Sequence, residues 1–146
     1  MTLPPEISEQ EIRERCQLLL GLAADEAIRL AHNYLGTEHL FIALTKIEGG
    51  RTQRLLADAD LDPAAVRLAV REAAGVGNDY PSEPIPLTPR SRLVLSLAIY
   101  AADDEDEDTV AEDHLLLALL EEGEGVAARC LAALGFDLEY WVSLLI

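Results

Sequence analysis

Residues 32–44 read HNYLGTEHLFIAL, and 75 positions later residues 107–119 read EDTVAEDHLLLAL. At that offset His39 falls on His114, Leu40 on Leu115, Ala43 on Ala118 and Leu44 on Leu119. The register holds outward in both directions without a gap. Leu18 meets Leu93, Leu22 meets Leu97 and Ala27 meets Ala102; downstream, Gly50 meets Gly125, Arg54 meets Arg129, Leu56 meets Leu131 and Asp62 meets Asp137. Leu and Ala coincide easily in this composition, whereas the paired His, Gly, Arg and Asp do not. Self-similarity at one fixed offset is the mark of an internally repeated domain.

Each half reads as four helices. In the first, Ser8 and Glu11 stand at capping-box spacing, and Ile12, Leu19, Ala23 and Leu30 supply an apolar face. Thr37 can cap the next helix, whose run Leu40-Phe41-Ile42-Ala43-Leu44 predicts burial on all sides. Gly49-Gly50 breaks the chain, a third helix carries Leu55 and Leu56, and Asp62-Pro63 opens a fourth that ends near Ala74. Residues 75–87, GVGNDYPSEPIPL, hold too much Pro and Gly for regular structure. Thr88-Pro89 opens a fifth helix, followed by helices over 110–122, 124–134 and 137–146. The expected organisation is a first repeat at 1–75, a linker at 76–87 and a second repeat at 88–146, together one all-α domain of eight helices.

Composition supports helices and narrows the partners. Hydrophobic residues make up 50 % of the 146, but aromatics only 5 %, which disfavours sheet. The formal charge is −16. Residues 1–100 hold 14 acidic and 10 basic side chains (net −4), and residues 101–146 hold 13 acidic and one basic, Arg129 (net −12). Such a surface repels nucleic-acid phosphates and anionic lipid, so basic partners or basic segments of partners fit better. Cys16 and Cys130 sit among apolar helical residues and read as buried free thiols. The polar start MTLPPEISEQ does not resemble a signal peptide and no apolar run reaches transmembrane length, which predicts a cytoplasmic protein.

The motif HNYLGTEHL at 32–40, Gly50 with the arginine-bearing third helix, Thr88-Pro89-Arg90, the stretch Asp113-His114-Leu115 and EGEGVAARCLAALG at 122–135 together resemble the N-terminal repeat domain of Clp-type unfoldase ATPases, most of all the ClpC branch. The resemblance spans nearly the whole chain. It implies two four-helix repeats related by a pseudo-twofold axis, and a non-catalytic domain that receives adaptor proteins and substrates ahead of the ATP-driven rings. No GxxxxGK[ST] motif occurs in these 146 residues, so ATP hydrolysis by that route is not expected of them, nor is any cofactor.

Some ClpC-branch relatives bind phosphorylated arginine, and the resemblance carries that site onto particular positions. Glu38 and Asp113 stand where an acid would face the guanidinium, and Thr88 where a threonine would assist; Arg13 occupies the threonine position of the first repeat. A carboxylate accepts two parallel bonds from a guanidinium, and a hydroxyl at a helix start suits phosphate. Asp113 is one methylene shorter than Glu38, the first threonine is absent, and the second half is strongly negative, all of which oppose anion capture. The plain alternative is that both acids are helix N-terminal carboxylates favoured by the dipole.

His39 and His114 lack partners at metal-ligand spacing and read as structural residues that hydrogen-bond across a helix start, so no metal site is expected. The run Asp103-Asp104-Glu105-Asp106-Glu107-Asp108 should end its helix near Ala102, leaving a solvated acidic loop or a docking patch for a basic partner. It lacks the spacing and central glycine of a calcium loop. With no cluster of nucleophile, base and orienting acid, an enzyme is not expected. Two functions fit: a recognition domain for Clp adaptors or degradation substrates, or a stand-alone homologue that sequesters adaptors, substrates or small peptide-like molecules, cyclic peptides included, that target Clp proteins.

Overall fold

The computed structural model describes Pro5 and residues 7–146, which are helical with no strands. Among the described residues nine helices occur: α1 (Glu9–Arg15), α2 (Gln17–Arg29), α3 (Thr37–Thr45), α4 (Arg51–Asp58), α5 (Pro63–Ala74), α6 (Pro89–Asp104), α7 (Glu112–Glu122), α8 (Val126–Ala133) and α9 (Leu138–Leu145). The expected first helix is divided at Cys16, whose φ of −115° and ψ of 21° leave the α region. Its counterpart α6 is continuous, but α6 begins at Pro89, the register of residue 14. Most of α1 therefore has no equivalent in the second half. It packs instead on α6, where the Ile7 N–H donates to Ser96 Oγ at 3.0 Å.

The repeat is written into the backbone. Helices α3 and α7 start at 37 and 112, α4 and α8 at 51 and 126, α5 and α9 at 63 and 138, always 75 apart. Two pairs of left-handed residues follow the same register: Ala31 (φ 55°) matches Asp106 (φ 56°), and Asp60 (φ 59°) matches Gly135 (φ 95°). Each completes the same helix stop. His32 N donates to Ala27 O at 3.0 Å and Glu107 N to Ala102 O at 2.9 Å; Leu61 N donates to Leu56 O and Phe136 N to Leu131 O.

Helix α3 is buried along its whole length, as its unbroken apolar run predicts, because it packs on α2, α5, α6, α7 and α8. Its second-half counterpart α7 is buried at Leu115, Leu116, Ala118, Leu119 and Leu120. The halves share one core, in which each fully buried Leu or Ile contributes about 1.5–3 kcal/mol.

The two glycines matched at 50 and 125 mark where the halves interlock. A Cβ on Gly50 would lie 2.4 Å from Glu112 Oε1, and one on Gly125 would lie 2.4 Å from Thr37 Oγ1. The first turn of α7 thus sits on the start of α4, and the first turn of α3 on the start of α8. The linker has no helix; its end docks through a parallel bridge between Leu35 and Leu87, with Leu35 N donating to Pro86 O at 2.8 Å, and its start docks through Gly77 N, which donates to Leu30 O at 2.8 Å.

Candidate functional site

The two matched histidines close equivalent helix starts; Thr37 does not cap α3 but is its first residue, with Gly36 before it. Gly36 N donates to His39 Nδ1, and Ala111 N to His114 Nδ1, both at 2.9 Å. Because Nδ1 accepts in each ring, Nε2 carries the proton. In the first repeat His39 Nε2 meets His32 Nδ1 at 2.8 Å, and His32 Nε2 meets Gly75 O at 2.9 Å. One chain of donors thus runs Gly36 → His39 → His32 → Gly75 with both imidazoles neutral. Burial, and then His32, push the His39 pKa down to about 4, against a smaller pull from Glu26. In the second repeat His32 is replaced by Glu107, and His114 Nε2 donates to Glu105 Oε1 at 3.1 Å instead. The described residues contain no group of three or more His, Cys, Asp or Glu placed to hold a metal.

The two acids of the repeated motif have different surroundings. Glu38 is 6 % exposed and folds back over Gly36, where a Cβ would lie 1.9 Å from Glu38 Oε1. Tyr34 Oη donates to Glu38 at 3.5 Å, and burial followed by this carboxylate raises the Tyr34 pKa. In the second repeat Ala111 brings a Cβ into that space. The shorter Asp113 has a side chain 49 % exposed and lies 3.5 Å from the Arg51 guanidinium.

Neither of the other two positions joins these acids. Arg13 donates to Ile85 O at 3.0 Å and pairs with Glu9 at 3.4 Å. Thr88 caps α6, accepting from Ser91 N at 3.1 Å and donating to Ser91 Oγ at 3.0 Å.

The acidic run is partly held rather than freely solvated, and α6 extends to Asp104, beyond the expected stop at Ala102. The cause is Arg15, which donates to Asp103 Oδ1 (2.7 Å), Glu107 O (2.9 Å) and Asp108 O (2.8 Å). A cation at a helix C-terminus offsets the repulsion of the acids there. Ninety residues of separation hid this clamp from sequence reading. Also missed was Glu26, fully buried and bound by Arg71 at 2.8 and 2.9 Å and by Lys46 at 3.1 Å. Its i to i+3 neighbour Arg29 gave no hint of the more distant partners.

An open cleft of about 710 Å³ adjoins Asp113. Glu105, Glu107 and Asp113 give it a negative wall and Leu117 and Leu145 an apolar one; no Lys or Arg among the described residues lines it, although Arg51 pairs with Asp113 at 3.5 Å. It suits a cationic or amide-bearing ligand with some apolar surface, and it opposes phosphate. The thiols offer no activated nucleophile. Cys16 is buried and its pKa is pushed up to about 12, and half-buried Cys130 is also raised by burial.

No helix among the described residues is long and apolar enough to cross a membrane. Similar proteins include the chloroplastic chaperone protein ClpC2 of Oryza sativa subsp. japonica, 37 % identical over 128 residues, covering 88 % of this chain and 14 % of that protein. The chaperone protein ClpB of Oceanobacillus iheyensis is 38 % identical over 86 % of this chain and 15 % of its own length. The chain therefore spans about a seventh of these relatives. Similar solved structures include the N-terminal domain of the chaperone ClpD of Arabidopsis thaliana, at a TM-score of 0.67 and 20 % identity, covering 96 % of this chain and 94 % of that one. A second is a ClpV N-domain in complex with a VipB peptide, at a TM-score of 0.71 and 18 % identity, covering 99 % and 96 %. Residues 11–134 match the Clp repeat (R) N-terminal domain, and the chain belongs to that family.

Proposed function

We propose that this chain is a non-catalytic protein-recognition domain that binds adaptors or substrates of a Clp unfoldase. The observation that carries the reading is the open cleft beside Asp113, a concave site with acidic and apolar walls in a domain of the Clp N-terminal family. A ClpV N-domain of similar fold has been solved with a peptide of a protein partner, which supports a peptide ligand here. The inert thiols and the histidines committed to helix starts support a role without chemistry.

The second repeat is the better candidate of the two. Glu38 is covered, whereas Asp113 borders open space. The acidic wall favours a basic segment over a phosphorylated one.

The test is capture of purified Clp adaptors and unfolded model substrates by the immobilised chain. It is repeated with Glu38→Ala plus Asp113→Ala, and separately with residues 103–108 neutralised. Capture that falls in the Asp113 or 103–108 variants supports the reading. Capture no better than that of a charge-matched acidic helical protein sinks it.

A further inference from the structure

The first repeat shows what the second-repeat cleft is shaped to hold. Beyond α5 the chain turns at Gly75 and runs extended across the loop between α2 and α3. Gly77 N donates to Leu30 O at 2.8 Å, Asp79 N donates to Ala31 O at 3.2 Å, and His32 Nε2 donates to Gly75 O. A stretch of backbone is thus bound in a groove floored by the α2–α3 loop. The rings of His32 and Tyr34, stacked with centroids 4.9 Å apart, fill the space beside it.

Seventy-five residues on, Leu30 and Ala31 correspond to Glu105 and Asp106, His32 to Glu107, and Tyr34 to Thr109. Both rings are gone. Glu105, Glu107 and Thr109 line the cleft, with Leu145 opposite at the register of Val70. The left-handed turn that presents the Leu30 and Ala31 carbonyls is kept, with Ala31 at φ 55° and Asp106 at φ 56°. What changes is polarity. His32 offered an N–H to a carbonyl of the bound segment, whereas Glu107 offers a carboxylate and asks for a donor or a cation. Its carboxylate takes part in no ion pair among the described residues, while Arg15 holds its backbone in place.

We propose that the second-repeat cleft is a docking groove for an extended, unphosphorylated basic segment of a partner protein, which lies as residues 75–79 lie on the first repeat and donates its backbone N–H groups to the carbonyls of Glu105 and Asp106. Main-chain bonds supply affinity that is tolerant of sequence, and Glu107 selects lysine or arginine beside them. The inference rests on the recognition reading above and names the kind of segment recognised.

The probe is a capped peptide, Gly-Val-Gly-Lys-Arg-Tyr, patterned on the first-repeat segment and labelled for fluorescence anisotropy with the 146-residue chain. A second peptide of identical charge carries N-methyl groups on its third and fifth residues, removing the two amide donors. The expected result is binding that weakens about tenfold on N-methylation. It also weakens about tenfold in the chain carrying Glu107→His with Thr109→Tyr, which removes the carboxylate that selects the basic side chain and refills the space beside the groove with the first repeat's rings. Equal binding of the two peptides would show charge attraction alone and overturn the proposal, and this arm stands even if the refilled chain does not fold. Undiminished peptide binding by a folded refilled chain would place the site elsewhere. Adaptor or substrate capture that survives refilling would leave the recognition reading intact while ending this one; no capture by the unaltered chain would end the recognition reading itself.

Discussion

The carboxylate of Glu112 accepts the backbone N–H of Arg51 at 3.1 Å and, through its other oxygen, that of Thr52 at 2.9 Å. A side chain from the second repeat therefore caps a helix of the first. The two N–H groups belong to the first turn of α4, which has no side-chain cap of its own at Gly50. Glycine is needed there because a Cβ would strike the incoming carboxylate. The bond joins the halves at a point where hydrophobic contact alone would not set their register.

Glu112→Ala is expected to lower stability by about 1–2 kcal/mol, the usual loss for a helix cap, which for a domain of this size is about 5 °C in Tm. Glu112→Gln, which keeps one good acceptor, should lose less. The neighbouring Asp113→Ala removes a half-exposed pair with Arg51 and should change stability by no more than about 0.5 kcal/mol. Urea unfolding of the three variants checks this. Equal losses at 112 and 113 would show that the inter-repeat cap contributes nothing particular.

Cysteine labelling should discriminate between the two thiols. Cys16 is 1 % exposed with its pKa pushed up to about 12, whereas Cys130 is half-buried. Since the thiolate is the reactive form, iodoacetamide at pH 8 should modify Cys130 first, with Cys16 protected until the chain opens. Mass spectrometry of the native protein over time reads both rates. Labelling of Cys16 at the rate of Cys130 would contradict the packing of α1 against α2.

Glu26 should be the most sensitive charged position. Burial would raise its pKa, but the bonds from Arg71 and then Lys46 prevail and hold it below the ordinary carboxylate range. Arg71→Met leaves a buried carboxylate with one good partner, and a loss of about 3–5 kcal/mol is expected. Adding Glu26→Leu removes the stranded charge and should recover part of that loss. Chemical denaturation of the single and double variants tests it, and a double variant less stable than Arg71→Met would refute the account.

The repeat made much of this fold legible. The 75-residue offset, the capping signals at Ser8 and Thr88, the Asp62-Pro63 start and the apolar run at 40–44 are local patterns, and each reappears in the helices. The histidine caps could be anticipated because each ring lies three residues from the N–H it accepts. What escaped depends on residues far apart. Arg15 on the acidic run, Arg71 on Glu26 and Glu112 on α4 span 88, 45 and 61 positions, and no periodicity links them. The contrast between Glu38 and Asp113 was half visible. The lost methylene can be read directly, but that Gly36 makes room for one carboxylate and Ala111 displaces the other needs the folded geometry.

His39 sets a definite acid limit. Its pKa is about 4 in the folded chain, against an ordinary value of 6.5. The unfolded chain therefore binds a proton first as pH falls. The stability that His39 contributes is complete above about pH 6.5, declines as pH falls from there toward 4, and is fully lost below 4. The difference amounts to about 3 kcal/mol at most. Protonation would also leave His39 Nδ1 with a hydrogen facing the Gly36 N–H, breaking the bond that closes the start of α3. The expected signs are an imidazole resonance of His39 that does not titrate between pH 7 and 5, and an unfolding free energy that declines over that range. In His39→Asn, less stable at pH 7, the decline should be shallower, because the group that titrates is gone. Glu26 acts in a lower window, since a depressed carboxylate pKa withdraws its contribution only as pH falls through the carboxylate range. A His39 resonance that titrated near 6.5 in the folded protein would mean that the ring is solvated and the Gly36–His39–His32–Gly75 chain does not persist.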